Sequence, residues 1–182
     1  EYFITQPKKL TGEQKAALDS IGRSIDEKSF QTHLLFGVTG SGKTEVYLQA
    51  IDKVLGQGRT AIMMVPEIAL TMQTIERFRC RFENKIAVLH HRLSDGERYD
   101  AWHGIRKGEI SIVIGARSAV FCPLPNLGLI IVDEEHENSY KQTEQMPCYN
   151  ARDVAVMRGK LCGAAVVLGS ATPSLESYHN SM

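Results

Sequence analysis

Short, nearly unbroken apolar runs alternate along the chain with longer segments in which apolar residues recur at helical spacing. Strands covered by helices on both faces read as continuous apolar runs, so this rhythm predicts parallel strands joined by crossover helices, an α/β fold. Strands are expected at His33–Phe36, Thr60–Val65, Ile86–Leu89, Ile110–Ile114, Leu127–Val132 and Ala164–Leu168. Helices are expected at Gly12–Ser24, Lys43–Leu55, Thr71–Phe82, Asp95–Arg106 and Ala151–Arg158, with Gly56, Gly58 and Gly108 where helices should stop. Trp102 falls on the apolar stripe of its helix and is expected in the core. Arg77, Arg79 and Arg81 are read as the solvated face of theirs. The segment Glu137–Asn150 predicts no regular element, and long irregular stretches in compact domains are often functional.

Gly37-Val38-Thr39-Gly40-Ser41-Gly42-Lys43-Thr44 fits the phosphate-loop pattern G-x-x-x-x-G-K-[ST] and lies between an apolar strand and a helical pattern. Glycines allow unusual backbone angles, so successive N–H groups can surround phosphates at the positive end of the following helix. Lys43 should reach the β- and γ-phosphates, and the Thr44 hydroxyl should bind Mg²⁺. Asp133-Glu134-Glu135-His136 ends the strand Leu127–Val132, at the carboxyl edge where doubly wound sheets present ligand-binding groups. Asp133 is the expected second Mg²⁺ anchor, and Glu134 the group that orients or deprotonates an attacking water. His136 either senses the γ-phosphate or joins the site to a neighbouring segment. Gly169-Ser170-Ala171-Thr172-Pro173-Ser174 follows the last strand, with hydroxyls able to bond those carboxylates. Read alone, it is a turn capping a final helix.

Composition narrows the setting. With 182 residues, 43% hydrophobic and 23% charged, the chain suits one globular domain and excludes a disordered tail or a collagen-like repeat. Twenty-one basic and 21 acidic residues balance, so any nucleic-acid contact must come from local patches. Cys80, Cys122, Cys148 and Cys162 form no C-x-x-C pair and suggest a reducing cytosol. No apolar run is long enough for a membrane helix.

Together, GVTGSGKT, DEEH and GSATPS resemble motifs I, II and III of superfamily 2 helicases. Val65-Pro66-Glu67-Ile68-Ala69-Leu70-Thr71, Ile114-Gly115-Ala116-Arg117-Ser118-Ala119-Val120-Phe121, and Tyr140-Lys141-Gln142 before Ala151-Arg152-Asp153 resemble the PriA family of bacterial replication-restart helicases, from about Leu10 to the C-terminus. The resemblance implies a RecA-like lobe with ATP and Mg²⁺ as cofactors, in a cytoplasmic bacterial DNA helicase. That helicase would move 3′ to 5′, act on single-stranded and forked DNA, and meet primosome and replicative-helicase loading proteins and single-stranded DNA-binding protein. Zinc belongs to a family insertion that this chain lacks. Residues 1–9 are then expected to be a linker from an N-terminal DNA-binding region, residues 10–182 the first motor lobe, and a second lobe the source of a transition-state arginine.

The same resemblance makes Glu67, Thr71, Arg117 and Ser118 contacts to a single-stranded backbone, and Glu137–Asn150 a loop coupling DNA to hydrolysis. Tyr140, Lys141 and Tyr149 are its DNA-facing candidates. Cys148 and Asn150 stand where family loops carry more basic or imidazole side chains. Gln14 has two readings, an adenine-reading carboxamide or the second half of a capping box with Thr11, and one residue can do both. His90-His91-Arg92 has two imidazoles but no further ligand at metal-binding spacing, so it is read as a loop beside the DNA path. Two rival functions share these segments: another superfamily 2 translocase, such as a restriction-enzyme motor subunit, and a nucleotide-gated interaction module. A transporter-type ATPase is disfavoured because no LSGGQ segment is present.

Overall fold

The computed structural model describes residues 5–90, 93–143 and 146–181. Six parallel strands, β1 (Thr32–Phe36), β2 (Thr60–Met64), β3 (Ile86–Leu89), β4 (Ile112–Gly115), β5 (Leu127–Val132) and β8 (Ala165–Ser170), form one sheet in the order β1-β8-β5-β2-β4-β3. Between β5 and β8, the short strands β6 (Lys141–Gln142) and β7 (Tyr149–Asn150) pair as an antiparallel ribbon. The helices are α1 (Gly12–Asp26), α2 (Lys43–Gly56), α3 (Met72–Phe82), α4 (Asp95–Lys107), α5 (Ala151–Cys162) and α6 (Leu175–Asn180).

The continuous apolar runs are explained by two cores. Successive side chains on a strand point to opposite faces. Ala61, Met63, Leu129 and Ile131 therefore pack with Ile25 of α1, Ile51 of α2 and Phe78 of α3. Ile62, Met64, Ile130 and Val132 pack on the other face with Ile105 of α4 and Ala155 of α5. Each central strand contributes to both cores, as a three-layer α/β arrangement requires.

Most predicted boundaries fall within two residues of the observed ones. Strand β8 runs on to Ser170, so the start of the GSATPS segment is still sheet. Helix α5 continues past Arg158 to Cys162 and stops at Gly163, whose φ of 60° suits glycine. Two sequence expectations are corrected. Trp102 is 37% exposed, because α4 lies beside the edge strand β3 and its fully buried face is reduced to Ile105. Arg81 is no solvated side chain: it is only 5% exposed and its Nε donates to Asp52 Oδ2 at 2.9 Å, tying α3 to α2.

All six strands are parallel, so their carboxyl ends share one edge. Across that edge run, in order, the phosphate loop after β1, the GSATPS segment of β8, the DEEH turn after β5, Glu67 after β2, Arg117 after β4 and His90 after β3. His91 and Arg92 lie outside the described residues.

Candidate nucleotide site and nucleic-acid edge

Helix α2 begins at Lys43 with Gly42 as its N-cap and no side-chain cap, which leaves its positive end facing the loop. Gly42 has a φ of 83°, which favours glycine, and a Cβ there would lie 2.3 Å from Gln14 Nε2 and displace that amide. Gln14 closes the capping box with Thr11: its amide accepts a bond from the Thr11 N–H at 2.9 Å. Its Nε2 donates to the Ser41 carbonyl at 2.7 Å, bracing the phosphate loop from α1. The ammonium of Lys43 donates to the Gly37 carbonyl at 2.6 Å and lies 3.9 Å from Glu134 Oε1. Loop and DEEH turn thus converge on one cation.

A cavity of about 760 Å³ opens here, lined by Gln14, by residues 38–44 (Val38, Thr39, Gly40, Ser41, Gly42, Lys43 and Thr44), and by Asp133 and Glu134. Its volume suits a nucleotide-sized ligand. Two features of its wall escaped the sequence reading. Arg77 of α3 lines the cavity, and so do Thr5, Gln6, Lys8 and Lys9. The described part of the expected linker is moored there: Thr5 N–H donates to the Cys80 carbonyl at 2.9 Å, and Lys8 N–H to Glu45 Oε1 at 3.0 Å.

The four acidic-turn residues divide their labour. Burial pushes the Asp133 carboxyl up from its ordinary value, with the Glu134 charge adding to it, while Tyr47 and Lys43 oppose. Glu134 has a φ of 47°, a left-handed conformation rarely taken by a non-glycine residue, which turns the chain sharply after β5. Glu135 turns the other way and is buried, accepting bonds from Ser174 N–H at 2.7 Å, Ser177 Oγ at 2.9 Å and Arg152 Nη1 at 3.1 Å. His136 Nδ1 is 2.7 Å from Ser170 Oγ and Nε2 is 3.3 Å from Thr172 Oγ1. Of the two readings of His136, this geometry supports the one that joins the site to GSATPS. Nothing in the sequence singled out Glu135. The one signal was the run of hydroxyls at Ser170, Thr172, Ser174 and Ser177, of which Ser174 and Ser177 bond that carboxylate.

A carboxylate on Asp133 and a hydroxyl on Thr44 in one cavity are hard oxygen donors. They fit Mg²⁺, which takes one or two protein oxygens and completes its shell with phosphates and water.

The nucleic-acid candidates are brought together only in part. Arg117 Nη1 donates to the Lys141 carbonyl at 2.7 Å, joining the turn after β4 to the ribbon. Ser118, Glu67 and Thr71 are exposed, and the Thr71 hydroxyl caps α3 by accepting from Thr74 N–H. Tyr149 is half-buried, edge-on to Phe121 at 5.2 Å, a neighbour the sequence reading missed. Tyr140 is a correction: at 1% exposure it has no face for a base, and its hydroxyl donates to the Asp133 carbonyl at 2.7 Å. A polar tip on an aromatic body placed it in the core, bonded to the strand end rather than to DNA.

A nucleotide cradle, an acidic turn and a third hydroxyl-bearing strand end on one RecA-like sheet edge define a helicase motor fold. The sequence model of the DEAD/DEAH box helicase family matches residues 11–181, and the chain belongs to that family. It is 59% identical over 181 residues to replication restart protein PriA of Chlamydia pneumoniae, and 55% identical over 174 residues to PriA of Bacillus subtilis strain 168. These alignments cover 100% and 96% of this chain but only 24% and 22% of the relatives, so the chain spans about a quarter of their length. RecG solved on a three-way DNA junction has a similar fold, with a TM-score of 0.71 and 29% identity over 97% of this chain and 23% of its own. The PriA resemblance and the fold class read from sequence both hold. Among the described residues, no helix is long and apolar enough to cross a membrane.

Proposed function

We propose that this chain is the ATP-binding motor lobe of a 3′-to-5′ DNA helicase acting in replication fork restart and primosome assembly. The observation that carries the reading is the meeting of Lys43, Asp133 and Glu134 in a single cavity, beside a third segment bonded to His136. Bound Mg²⁺ would neutralise charge on the triphosphate. Loop amides and Lys43 hold the β- and γ-phosphates, and Thr44 and Asp133 supply the metal's protein oxygens. Glu134 orients an attacking water or takes its proton. His136 passes the state of this turn to Ser170 and Thr172.

On the other half of the edge, Glu67, Thr71, Arg117, Ser118 and Lys141 would hold a single-stranded backbone, while Tyr149 with Phe121 offers a half-exposed aromatic edge. Backbone contacts of this kind position a strand without reading its sequence, as translocation requires. The relatives are named for replication restart and the RecG structure holds a three-way junction, which supports forked DNA as substrate. Loading proteins of the replicative helicase and single-stranded DNA-binding protein are the partners this role implies, in the bacterial cytoplasm.

The decisive variant is Glu134→Gln in the full-length parent protein. It should retain ATP binding and lose ATP turnover and unwinding together. Unwinding that survives the substitution would overturn the motor assignment.

A further inference from the structure

Asp133 is gripped from three sides. Its N–H donates to the Met64 carbonyl at 2.9 Å, and its carbonyl accepts from Tyr140 at 2.7 Å. With the backbone fixed, the remaining freedom is rotation of the carboxylate. Tyr47 Oη donates to Asp133 Oδ1 at 2.9 Å and removes it. Tyr47 is 1% exposed on α2, one turn beyond Lys43, so the helix that begins the phosphate cradle also holds the acid opposite.

A second, independent observation comes from Gly169. It is not among the glycines with positive φ, so its backbone conformation does not require glycine. Space does: a Cβ at 169 would lie 1.7 Å from the Tyr47 hydroxyl, 2.9 Å from its Cζ and 3.2 Å from Asp133 Oδ1. The missing side chain in β8 is the room through which the phenol reaches the carboxylate. A donor stabilises the ionised carboxylate, the form a divalent cation needs.

We infer that Tyr47 is a positioning residue for the divalent cation, aiming the Asp133 carboxylate, and that Gly169 is glycine in order to admit its hydroxyl. The inference rests on the Mg·ATP reading above. It links three segments, the P-loop helix, the DEEH turn and GSATPS, through one buried hydroxyl. Tyr47 does not line the cavity, so its effect should appear in metal dependence and not in nucleotide affinity alone.

The test uses the full-length parent protein, a fluorescent ATP analogue and titrated MgCl₂, with melting curves as a fold control. Tyr47→Phe should raise the Mg²⁺ concentration at half-saturation about 10- to 100-fold, the range for losing a residue that orients a metal ligand, and leave Mg²⁺-free affinity unchanged. Gly169→Ala should do the same by displacing the hydroxyl. Its effect should shrink in the Tyr47→Phe background, where the closest clash is gone. Asp133→Asn separates the two levels of the argument. If it abolishes Mg²⁺ dependence while Tyr47→Phe titrates like wild type, the inference fails and the site reading stands. If Asp133→Asn itself keeps wild-type Mg²⁺ dependence, the site reading fails and takes the inference with it. A Tyr47→Phe loss equal with and without Mg²⁺ overturns the inference as well. Should Gly169→Ala fail to fold, the Tyr47→Phe titration alone decides.

Discussion

Replacing Glu135 by alanine should cost this chain more stability than any other single change in the DEEH turn. Its side chain is fully buried, and Arg152, 16% exposed, is its ion-pair partner at 3.1 Å. Removing one member of a buried pair leaves an uncompensated charge and typically costs about 3–5 kcal/mol. Arg152 keeps Asp153 at 2.9 Å, so the lower end applies, while the Ser174 N–H loses its 2.7 Å acceptor. The expected loss is about 3 kcal/mol, a fall of roughly 6–12 °C in Tm for a domain of this size. Urea and thermal melts of this chain read it directly, with an unchanged m-value marking an unchanged unfolding transition. A variant within about 0.5 kcal/mol of wild type would refute the claim that this carboxylate holds the DEEH turn to α5 and α6.

The same residue fixes a pH dependence. Burial alone would raise the Glu135 carboxyl, but the Ser174 amide, the Ser177 hydroxyl and Arg152 outweigh it and hold the group below its ordinary 4.5. A depressed folded pKa gives stability that is fully present above the ordinary value and is lost as pH falls through the folded one. Melts between neutral and acid pH should therefore show a shallower acid limb for Glu135→Gln than for wild type. Phe78→Ala, at a site with 0% exposure, should cost about 3–5 kcal/mol in the same melts, whereas Trp102→Ala should cost under about 1 kcal/mol. Tyr140→Phe should lose about 1 kcal/mol by removing its bond to the Asp133 carbonyl. Arg117→Ala in the full-length protein should weaken single-stranded DNA equally across sequences and lower the salt slope by about one, with nucleotide affinity unchanged in a parallel titration.

The strands and crossover helices were legible because the two-faced sheet leaves a simple imprint: every residue of β2, β5 and β8 is buried, and the polar ones, Thr60 and Ser170, stand only at strand ends. The phosphate loop and Asp133 were legible for a related reason, since strand ends and glycine spacing are local. What the chain did not disclose is tertiary. Trp102 lies on a helical stripe, but helical period does not say that α4 sits at an edge where the stripe is barely covered. Tyr140 and Tyr47 look alike in composition to base-stacking and core aromatics, and only the fold shows both hydroxyls ending on Asp133. Glu135 reads as one of three adjacent acids, and a turn with positive φ at Glu134 is what sends it away from the cavity.

The central claim is that one Mg·triphosphate is shared by the loop and the acidic turn. A crystal structure of this chain with Mg²⁺ and a non-hydrolysable ATP analogue tests it most directly. The account predicts that Lys43 Nζ leaves the Gly37 carbonyl for phosphate oxygens and that one cation lies between the Thr44 hydroxyl and the Asp133 carboxylate. A nucleotide seated outside this cavity, or a cation bound without any contribution from Asp133, would contradict it.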